Sequence, residues 1–254
     1  MRVLMLICLL YSGQSLALDL EAVTSWYQQV ELSTTVDGMV SRVNAGEGEK
    51  VSRGTILIEL DQRAYTSRLA AAESRLEAAT QQNAEAKREL DRSLELYDRT
   101  LLSDHERKQA EIEAAESDAA YREADAQLAK VRLDIDYSRI TAPFDGIVEE
   151  VYVQPGQAVI NRQQAQPLLN LCHTGRMKVT TDVTAQQADK LKPGIGVQIG
   201  LRGQWLNGEI SRVGLKPVAE DANGARYLLE ATFQPPEAAV VRAGEKAVLR
   251  IADE

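Results

Sequence analysis

Two short stretches of this chain hold residues of the kinds that bind metals or act in catalysis. His105 and Glu106 begin like the helical zinc motif of metalloproteases, but that motif needs a second histidine four residues after the first, where Gln109 stands. Cys172 and His173 are adjacent, so on a strand they point to opposite faces and make a poor metal pair. We therefore predict no enzyme, no metal site and no cofactor, and we expect Cys172 to pack in the interior at the end of an apolar strand.

The composition and the N-terminus indicate a secreted globular chain. Hydrophobic residues make up 44% of the 254 residues, and 38 acidic against 29 basic residues give a net charge of -9, so nucleic acid is not an expected partner. Arg2, the apolar run 3–10 and the small residues up to Ala17 predict a signal peptide over residues 1–17. The apolar run is too short to span a bilayer. Cys8 lacks the small residue that usually precedes a lipidated cysteine, so no lipid anchor is expected.

Residues 36–60 and 144–171 look like two copies of one short β motif. The dipeptide Asp37-Gly38 aligns with Asp145-Gly146, and the further matched pairs are Val40 with Val148, Val43 with Val151, Gly48 with Gly156, Val51 with Val159 and Leu57 with Leu168. Asp-Gly before alternating apolar residues is typical of a tight turn in which glycine takes a positive φ. About two or three strands are marginal alone. The two copies are therefore predicted to face each other and close a small flattened barrel.

The segment between the copies, residues 62–138, has the three-four spacing that indicates a coiled-coil seam. Ser103 followed by Glu106 predicts a capping box that starts a second helix, so the chain is expected to reverse near residues 101–103. The result is an antiparallel hairpin with arms of roughly 35 residues, or about 50 Å. The seam positions are Leu69, Ala72, Leu76, Ala79, Asn83, Ala86, Leu90, Ser93, Tyr97 and Thr100 in the first arm, and Ala110, Ala114, Ser117, Tyr121, Ala124, Leu128, Val131 and Ile135 in the second.

Beyond residue 171 the pattern changes to short strands separated by turn residues, which is typical of a small β-barrel. The predicted strands are residues 177–183, 197–201, 204–213, 227–234 and 246–251, and residues 185–191 are predicted to form one or two helical turns. The stretch 22–34 is expected to lend a further strand to this barrel.

Two stretches carry a resemblance to a known family: GEKVSRGTILIELDQRAYTSRLAAAESRLEAA and DYSRITAPFDGIVEEVYVQPGQAV. In the second, the apolar strand, the Ala-Pro dipeptide, the Asp-Gly turn and the later Pro-Gly turn keep the family's order and spacing. The chain resembles the periplasmic adaptor subunits, or membrane fusion proteins of the HlyD and resistance-nodulation-division (RND) type, of Gram-negative tripartite efflux pumps. The resemblance covers most of residues 30–251.

The resemblance implies an elongated α+β protein of several domains. It assigns a lipoyl-like barrel-sandwich hybrid domain that is split by an antiparallel α-helical coiled-coil hairpin, followed by a small β-barrel. The expected boundaries are residues 1–17 for the signal peptide, 36–61 and 140–171 for the split lipoyl-like domain, 62–138 for the hairpin, and 18–35 with 172–254 for the barrel domain.

The resemblance also marks a candidate site near the hairpin tip. Arg92, Leu96 and Ser103 match the family spacing R-x3-L-x6-S, which in that family engages the outer-membrane channel. The seam register places Arg92 and Leu96 away from the seam, so both are expected to point outward, with Arg99 one turn further along the same face. The alternative is an ordinary solvated helix face, with Ser103 serving as an N-cap. The Gly common in that loop of the family is absent from the residues before Ser103.

The function implied by the resemblance is that of a periplasmic adaptor between an inner-membrane transporter and a TolC-like outer-membrane channel, for efflux of small molecules. An RND-type transporter is favoured, and an ATP-driven ABC-type transporter is the alternative, since the chain stops after the last expected barrel strand, where many RND relatives continue. The adaptor is expected in the periplasm, associated with the inner membrane through its transporter, as a homo-oligomer, either a trimer or a hexamer.

Two other classes of function remain as alternatives. The β halves resemble lipoyl and biotinyl carrier domains, which present a modifiable lysine at the turn joining the halves; here the helical insert beginning at Asp61-Gln62 takes that place, and Met177-Lys178 follows the second half. The other alternative is a structural coiled-coil protein of the envelope. Such a spacer would need neither the duplicated β motif nor the barrel.

Overall fold

The protein is described by a computed structural model that covers residues 18–161, 165–221, 224–236 and 241–251. The predicted signal peptide, residues 1–17, lies outside these described residues. Long helices and several small β-sheets make up the fold, in agreement with the expected mixture of α and β structure. Within the described ranges, no helix is both long and apolar enough to cross a membrane.

Three helices and fourteen strands are found in the described residues. The helices are α1 Arg63–Asp98, α2 Asp104–Tyr137 and α3 Ala185–Ala188. The strands are β1 Leu18–Trp26, β2 Gln29–Leu32, β3 Gly38–Val43, β4 Lys50–Val51, β5 Ile56–Leu60, β6 Arg139–Thr141, β7 Gly146–Val151, β8 Ala158–Val159, β9 Leu169–His173, β10 Met177–Thr184, β11 Gly196–Leu201, β12 Gln204–Asp221, β13 Gly224–Phe233 and β14 Lys246–Ile251.

The chain falls into two compact units. The first takes the described residues of Met1–Val30, Phe144–Ile147 and Leu171–Glu254, and the second takes Glu31–Pro143 and Val148–Asn170. A closed barrel with strand order β1-β10-β13-β12-β11-β14 lies in the first unit. Each of its six strands contributes apolar side chains to one core, among them Ala22, Val179, Ile199, Ile210, Leu229 and Leu249.

The hairpin of β12 and β13 is longer than predicted. The expected strands were residues 204–213 and 227–234, whereas β12 continues to Asp221 and β13 begins at Gly224. The sequence beyond residue 213 contains Pro217 and charged residues, a composition that is typical of a loop. The two strands nevertheless keep pairing there through irregular steps in register, ending with Asp221 opposite Gly224.

The N-terminal stretch forms two strands rather than the one barrel strand expected over residues 22–34. β1 joins the barrel between β10 and β14, but β2 lies in a separate four-stranded sheet, beside β9. The backbone N–H of Leu168 donates to the carbonyl of Leu32 at 2.8 Å, so the end of β2 is hydrogen-bonded to the segment that leads into β9. The expected barrel boundary at residue 35 was therefore too far along the chain. The signal for this was present, because Leu32 precedes Gly38 by the same interval as Ile140 precedes Gly146.

The two β copies exchange strands. One four-stranded sheet has the order β2-β9-β7-β4 and the other β6-β5-β3-β8, so each sheet holds strands from both copies. The hydrogen bonds are reciprocal: Gly48 N–H donates to the Val148 carbonyl at 2.8 Å, and Gly156 N–H donates to the Val40 carbonyl at 2.8 Å. Gly48 and Gly156 both take positive φ values, 80° and 87°, as their matched turn position predicts. The copies thus complete one another, as expected, through an exchange that the alignment did not reveal.

The Asp-Gly dipeptides do not form the positive-φ turns predicted for them. Gly38 and Gly146 begin strands β3 and β7 and are absent from the positive-φ glycines of the described chain. Glycine is needed at both positions because neighbouring atoms come too close to leave room for a side chain. A Cβ on Gly146 would lie 2.5 Å from the carbonyl oxygen of Cys172, and a Cβ on Gly38 would lie 3.2 Å from Cδ1 of Leu60.

Helices α1 and α2 lie side by side in opposite directions. Asn83 in the middle of α1 donates from Nδ2 to Oδ1 of Asp118 at 3.3 Å, and Arg132 near the end of α2 lies 3.8 Å from Glu73 near the start of α1. Every predicted seam position from Leu69 to Ser93 and from Ala110 to Ile135 is buried or half-buried. The three-four spacing therefore identified the contact faces of both helices correctly.

Candidate partner-docking site at the interhelical turn

The turn that joins α1 to α2 is closed by a tight set of backbone hydrogen bonds. Thr100 N–H donates to the Tyr97 carbonyl at 2.8 Å, and Leu101 N–H donates to the Leu96 carbonyl at 2.9 Å. These two bonds form a Schellman motif, which ends a helix with one residue in the left-handed region. That residue is Thr100, with φ of 60°. A β-branched side chain is strained in this region, so the missing glycine of the loop is replaced by a strained threonine.

The second helix begins with the predicted capping box. The Ser103 hydroxyl accepts from the Glu106 N–H at 3.3 Å, and the Ser103 N–H donates to a carboxylate oxygen of Glu106 at 2.9 Å. Hydrogen bonds from the hydroxyl and then the backbone N–H of Ser103 lower the pKa of Glu106 below its ordinary value. The hydroxyl of Ser103 is therefore engaged in helix capping while its residue sits at the surface of the turn.

The predicted site residues are brought to the same end of the two helices, but they are not equally exposed. Arg92 and Arg99 are exposed, and Arg92 lies 3.8 Å from Glu89 of the preceding turn. Leu96 is half-buried, which corrects the expectation that it points fully outward. Tyr97, the expected seam residue, is 37% exposed, and its ring still lies against Arg107 of α2.

Two residues of this region were not singled out by spacing. Leu101 is 70% exposed at the turn itself, and no pattern in the sequence singles it out. Arg107 is half-buried on α2, with its guanidinium 5.1 Å from the centroid of the Tyr97 ring. It also forms ion pairs with Asp104, at 2.8 Å, and with Glu111, and its hydrogen bond lowers the pKa of Asp104. The turn thus presents an exposed leucine, and the arginine near it on α2 is braced by ion pairs.

Three places were considered above for metal binding or covalent modification: Cys172, Lys178 and Asp61-Gln62. Each is packed or hydrogen-bonded within the fold. Cys172 is fully buried on β9, as expected. Lys178 lies on β10 with its Nζ 3.2 Å from a carboxylate oxygen of Glu230. At the place of a carrier lysine, Asp61 accepts a hydrogen bond from the Arg63 N–H at 3.0 Å, and Gln62 donates to the Ser138 hydroxyl at 2.9 Å. These contacts anchor the start of α1.

Solved structures share this arrangement of sandwich, helices and barrel. MacA from Actinobacillus actinomycetemcomitans superposes with a TM-score of 0.74 and 19% identity, over 93% of this chain and 78% of that one. The membrane fusion protein Spr0693 from Streptococcus pneumoniae R6 superposes with a TM-score of 0.73 and 15% identity, over 93% of this chain and 99% of that one. The fold is therefore that of the membrane fusion proteins.

Sequence comparison gives the family. The model of the RND membrane fusion protein barrel-sandwich hybrid domain matches residues 28–171, and the chain belongs to this family, which confirms the resemblance seen in its motifs. Among curated relatives, the macrolide export protein MacA of Yersinia pestis is 27% identical over 226 residues, covering 82% of this chain and 60% of the relative. The multidrug resistance protein MdtA of Escherichia fergusonii is 30% identical over 169 residues, covering 63% of this chain and 41% of the relative. The chain thus spans about half the length of these relatives.

Proposed function

We propose that this protein is a periplasmic adaptor that links an inner-membrane transporter to an outer-membrane channel and so supports export of small molecules. The observation that carries the proposal is the family match over residues 28–171, which spans the sandwich and the whole helical insert. Relatives named for macrolide export and for multidrug resistance support small molecules such as macrolides as the exported class. No residue performs chemistry in this role; the protein acts by assembly.

The turn between α1 and α2 is the channel-docking site of this proposal. The two helices form a coiled-coil hairpin, and the 36 residues of α1 extend about 54 Å at about 1.5 Å per residue. Arg92 and Arg99 offer exposed cations, and Leu101 offers an apolar anchor at the turn. Leu96 is half-buried next to the turn, and its backbone carbonyl accepts a hydrogen bond of the Schellman motif. Ser103 holds the start of α2.

The other partners follow from the same family. The barrel contacts the inner-membrane transporter, and the lipoyl-like sandwich joins neighbouring copies in a trimer or a hexamer. An RND-type transporter is favoured because the matched family model carries that name, with an ABC-type transporter as the second candidate. Residues 1–17 direct the chain to the periplasm and are removed, and the mature protein stays at the inner membrane through its transporter.

Deletion of the gene tests the adaptor role. Cells that express the pump are expected to accumulate a fluorescent dye or a macrolide when the gene is deleted, and the wild-type gene restores efflux. Leu101→Asp should behave like the deletion, since it places a charge in the docking contact. The matched control is Leu133→Asp, which changes another exposed leucine of the same hairpin far from the turn and should efflux normally. Immunoblots verify equal protein levels.

The outcomes separate the alternatives. Unchanged accumulation in the deletion strain would favour a structural envelope protein. Equal efflux by Leu101→Asp and Leu133→Asp would leave the adaptor role standing and remove the docking site. Mass spectrometry of the mature protein addresses the carrier alternative, because a lipoyl or biotinyl adduct would contradict the adaptor proposal directly.

A further inference from the structure

A cleft of about 600 Å³ lies on the outer face of the barrel, where β1, β14, β11 and β12 run side by side. The strand register places Val248 opposite Gly200, and Gly200 opposite Trp205. Because Gly200 has no side chain, the Trp205 ring leans over it: a Cβ on Gly200 would lie 3.0 Å from the indole. Trp205 is 47% exposed, and Val23 and Val248 are exposed beside it. The volume of this cleft lies in the range of small-ligand sites.

The tryptophan is held from the side away from the cleft. The guanidinium of Arg250 lies 4.1 Å from the Trp205 ring centroid, and two hydrogen bonds of 2.7 Å to Asp19 fix Arg250 in turn. On β14, Arg250 and Lys246 lie two residues to either side of Val248, so they flank the row that contains the indole. Lys246 lines the cleft. One side of the indole is therefore covered by a cation, and the other side is presented to the cleft as a fixed flat surface.

The three charged side chains that the described chain places in the cleft leave it without a net charge. Arg202 is neutralised by Glu245, to which it donates hydrogen bonds of 2.8 Å from Nε and 2.5 Å from Nη2. Glu21 and Lys246 carry opposite charges and are diagonal neighbours on the paired strands β1 and β14. An anion and a cation would each meet one group of its own sign, so the cleft favours a neutral ligand.

The polar groups at the edge of the cleft include both hydrogen-bond donors and acceptors. Lys246 and Arg202 can only donate, Glu21 can only accept, and the amide of Gln204 does both. A purely apolar ligand would cover these groups without replacing their hydrogen bonds to water, which is costly. A sugar ring meets both demands, because one face of C–H groups packs on an aromatic ring while the hydroxyls around it donate and accept.

The hairpin turn between β11 and β12 adds independent evidence for a ligand site. Arg202 and Gly203 are its central residues, with φ values of 49° and 80°, between the paired Leu201 and Gln204. Asn-Gly is the usual choice where both central residues have positive φ, and an arginine there is strained. Strained residues of this kind cluster at binding sites. The strain here places the Arg202 guanidinium at the cleft.

We propose that the barrel cleft binds a neutral sugar ring of a glycan chain, with the ring stacked on Trp205. Hydroxyls of the ring donate to Glu21 and accept from Lys246 and Gln204, and the missing side chain at Gly200 leaves room for the ring to reach the indole. This site is separate from the turn between α1 and α2, and it does not depend on the adaptor function proposed above.

Tryptophan fluorescence of the full protein tests the site, because the sequence contains two tryptophans, Trp26 and Trp205. Titration with a neutral trisaccharide, either maltotriose or triacetylchitotriose, is expected to change the emission of the wild type until it saturates. Trp205→Phe leaves Trp26 as the remaining tryptophan and should abolish the change. No saturable change with either trisaccharide, or the same change in Trp205→Phe, would overturn the proposal.

Calorimetry of the same trisaccharides compares variants that fluorescence cannot. Trp205→Ala is expected to weaken binding about tenfold or more, and Gly200→Ala should weaken it too, because the new Cβ displaces the indole. The matched control is Leu215→Ala, which removes a 97% exposed side chain from the same strand outside the cleft and should bind like the wild type. Circular dichroism verifies that each variant is folded. Equal affinities of Trp205→Ala and Leu215→Ala would contradict stacking on the indole.

Competing ligand classes are tested with three further probes. Indole-3-acetate is an anionic aromatic compound, tryptamine is a cationic one, and erythromycin carries its sugars on a macrolide. Tighter binding of any of the three than of both trisaccharides would refute a glycan as the ligand. Glu21→Gln keeps an oxygen that accepts hydrogen bonds, so it should weaken trisaccharide binding less than Trp205→Ala does; a larger loss in Glu21→Gln would indicate a cationic ligand instead.

Discussion

Replacement of Gly146 by alanine is expected to destabilise the protein through a clash with the backbone. The new Cβ would lie 2.5 Å from the carbonyl oxygen of Cys172 and 3.2 Å from the side chain of Leu171. Both neighbours are fully buried on β9, so the strand must shift to make room. Overpacking of this kind costs about 3 kcal/mol at the upper end of its typical range. Alanine regains about 0.5–1 kcal/mol by restricting the unfolded chain, which leaves a net loss of about 2 kcal/mol.

The repeat offers a matched control in Gly38→Ala. Gly38 occupies the equivalent Asp-Gly position, but its added Cβ would meet Cδ1 of Leu60 at 3.2 Å, the end of a side chain. A side chain can rotate by the few tenths of an ångström required. The same gain of about 0.5–1 kcal/mol from the unfolded chain offsets most of that cost, so Gly38→Ala should stay within about 1 kcal/mol of the wild type.

Urea unfolding of the two variants under identical conditions measures the difference. A loss of about 2 kcal/mol corresponds to a midpoint shift of about 0.7–1 M when the slope is about 2–3 kcal/mol/M. Fluorescence and circular dichroism must report coincident transitions for this comparison to apply. Equal midpoints for Gly146→Ala and Gly38→Ala would refute the close-approach explanation for the second glycine.

Three further changes have definite expected results. Thr100→Gly should raise the melting temperature, because it removes a left-handed strain of about 1–2 kcal/mol against a glycine cost of about 0.5–1 kcal/mol, whereas Thr100→Ala keeps the strain and should not stabilise. Hydrogen bonds from the Arg63 side chain and backbone lower the pKa of Asp61 to about 2; the stability this carboxylate adds is complete above its ordinary value of 3.8 and is lost as pH falls through about 2. The difference in unfolding free energy between the wild type and Asp61→Asn should therefore shrink between pH 5 and pH 2, and a constant difference would contradict this assignment. Asn83 is buried, and its Oδ1 accepts no hydrogen bond from the described residues, so Asn83→Leu should stabilise the helices by about 1–2 kcal/mol in a chemical-unfolding measurement; destabilisation would show that the contact with Asp118 matters more.

The helices were predictable because their signals are local. Contacts three and four residues apart repeat along α1 and α2, and the capping box of Ser103 and Glu106 lies within one turn. The tip residues Arg92, Leu96 and Ser103 were predicted from the family resemblance and its spacing, and their role in docking stays a prediction. Leu101 was missed because nothing in a spacing rule reports exposure at a turn.

Pairing between distant strands was not predictable in the same way. The alignment of Gly38 with Gly146 identified a duplication but could not tell that β4 and β8 exchange between the copies, because each partner is about a hundred residues away. The strand β2 was assigned to the barrel for the same reason: its alternation fits either sheet. The backbone hydrogen bonds from Leu168 to Leu32 and from His173 to Gln28 show that it pairs with β9.

The sequence by itself determined the order of elements, the faces on which the two long helices meet, the family, and the absence of a metalloprotease motif at His105, since each depends on residue types at short fixed intervals. The tertiary structure decided why glycine stands at the start of β3 and β7. It also decided that β2 lies beside β9 rather than in the barrel, and that Leu101 is exposed at the turn between α1 and α2. Burial and close approach arise between residues far apart in the chain, where hydrophobic pattern constrains which face is inside but not what lies opposite.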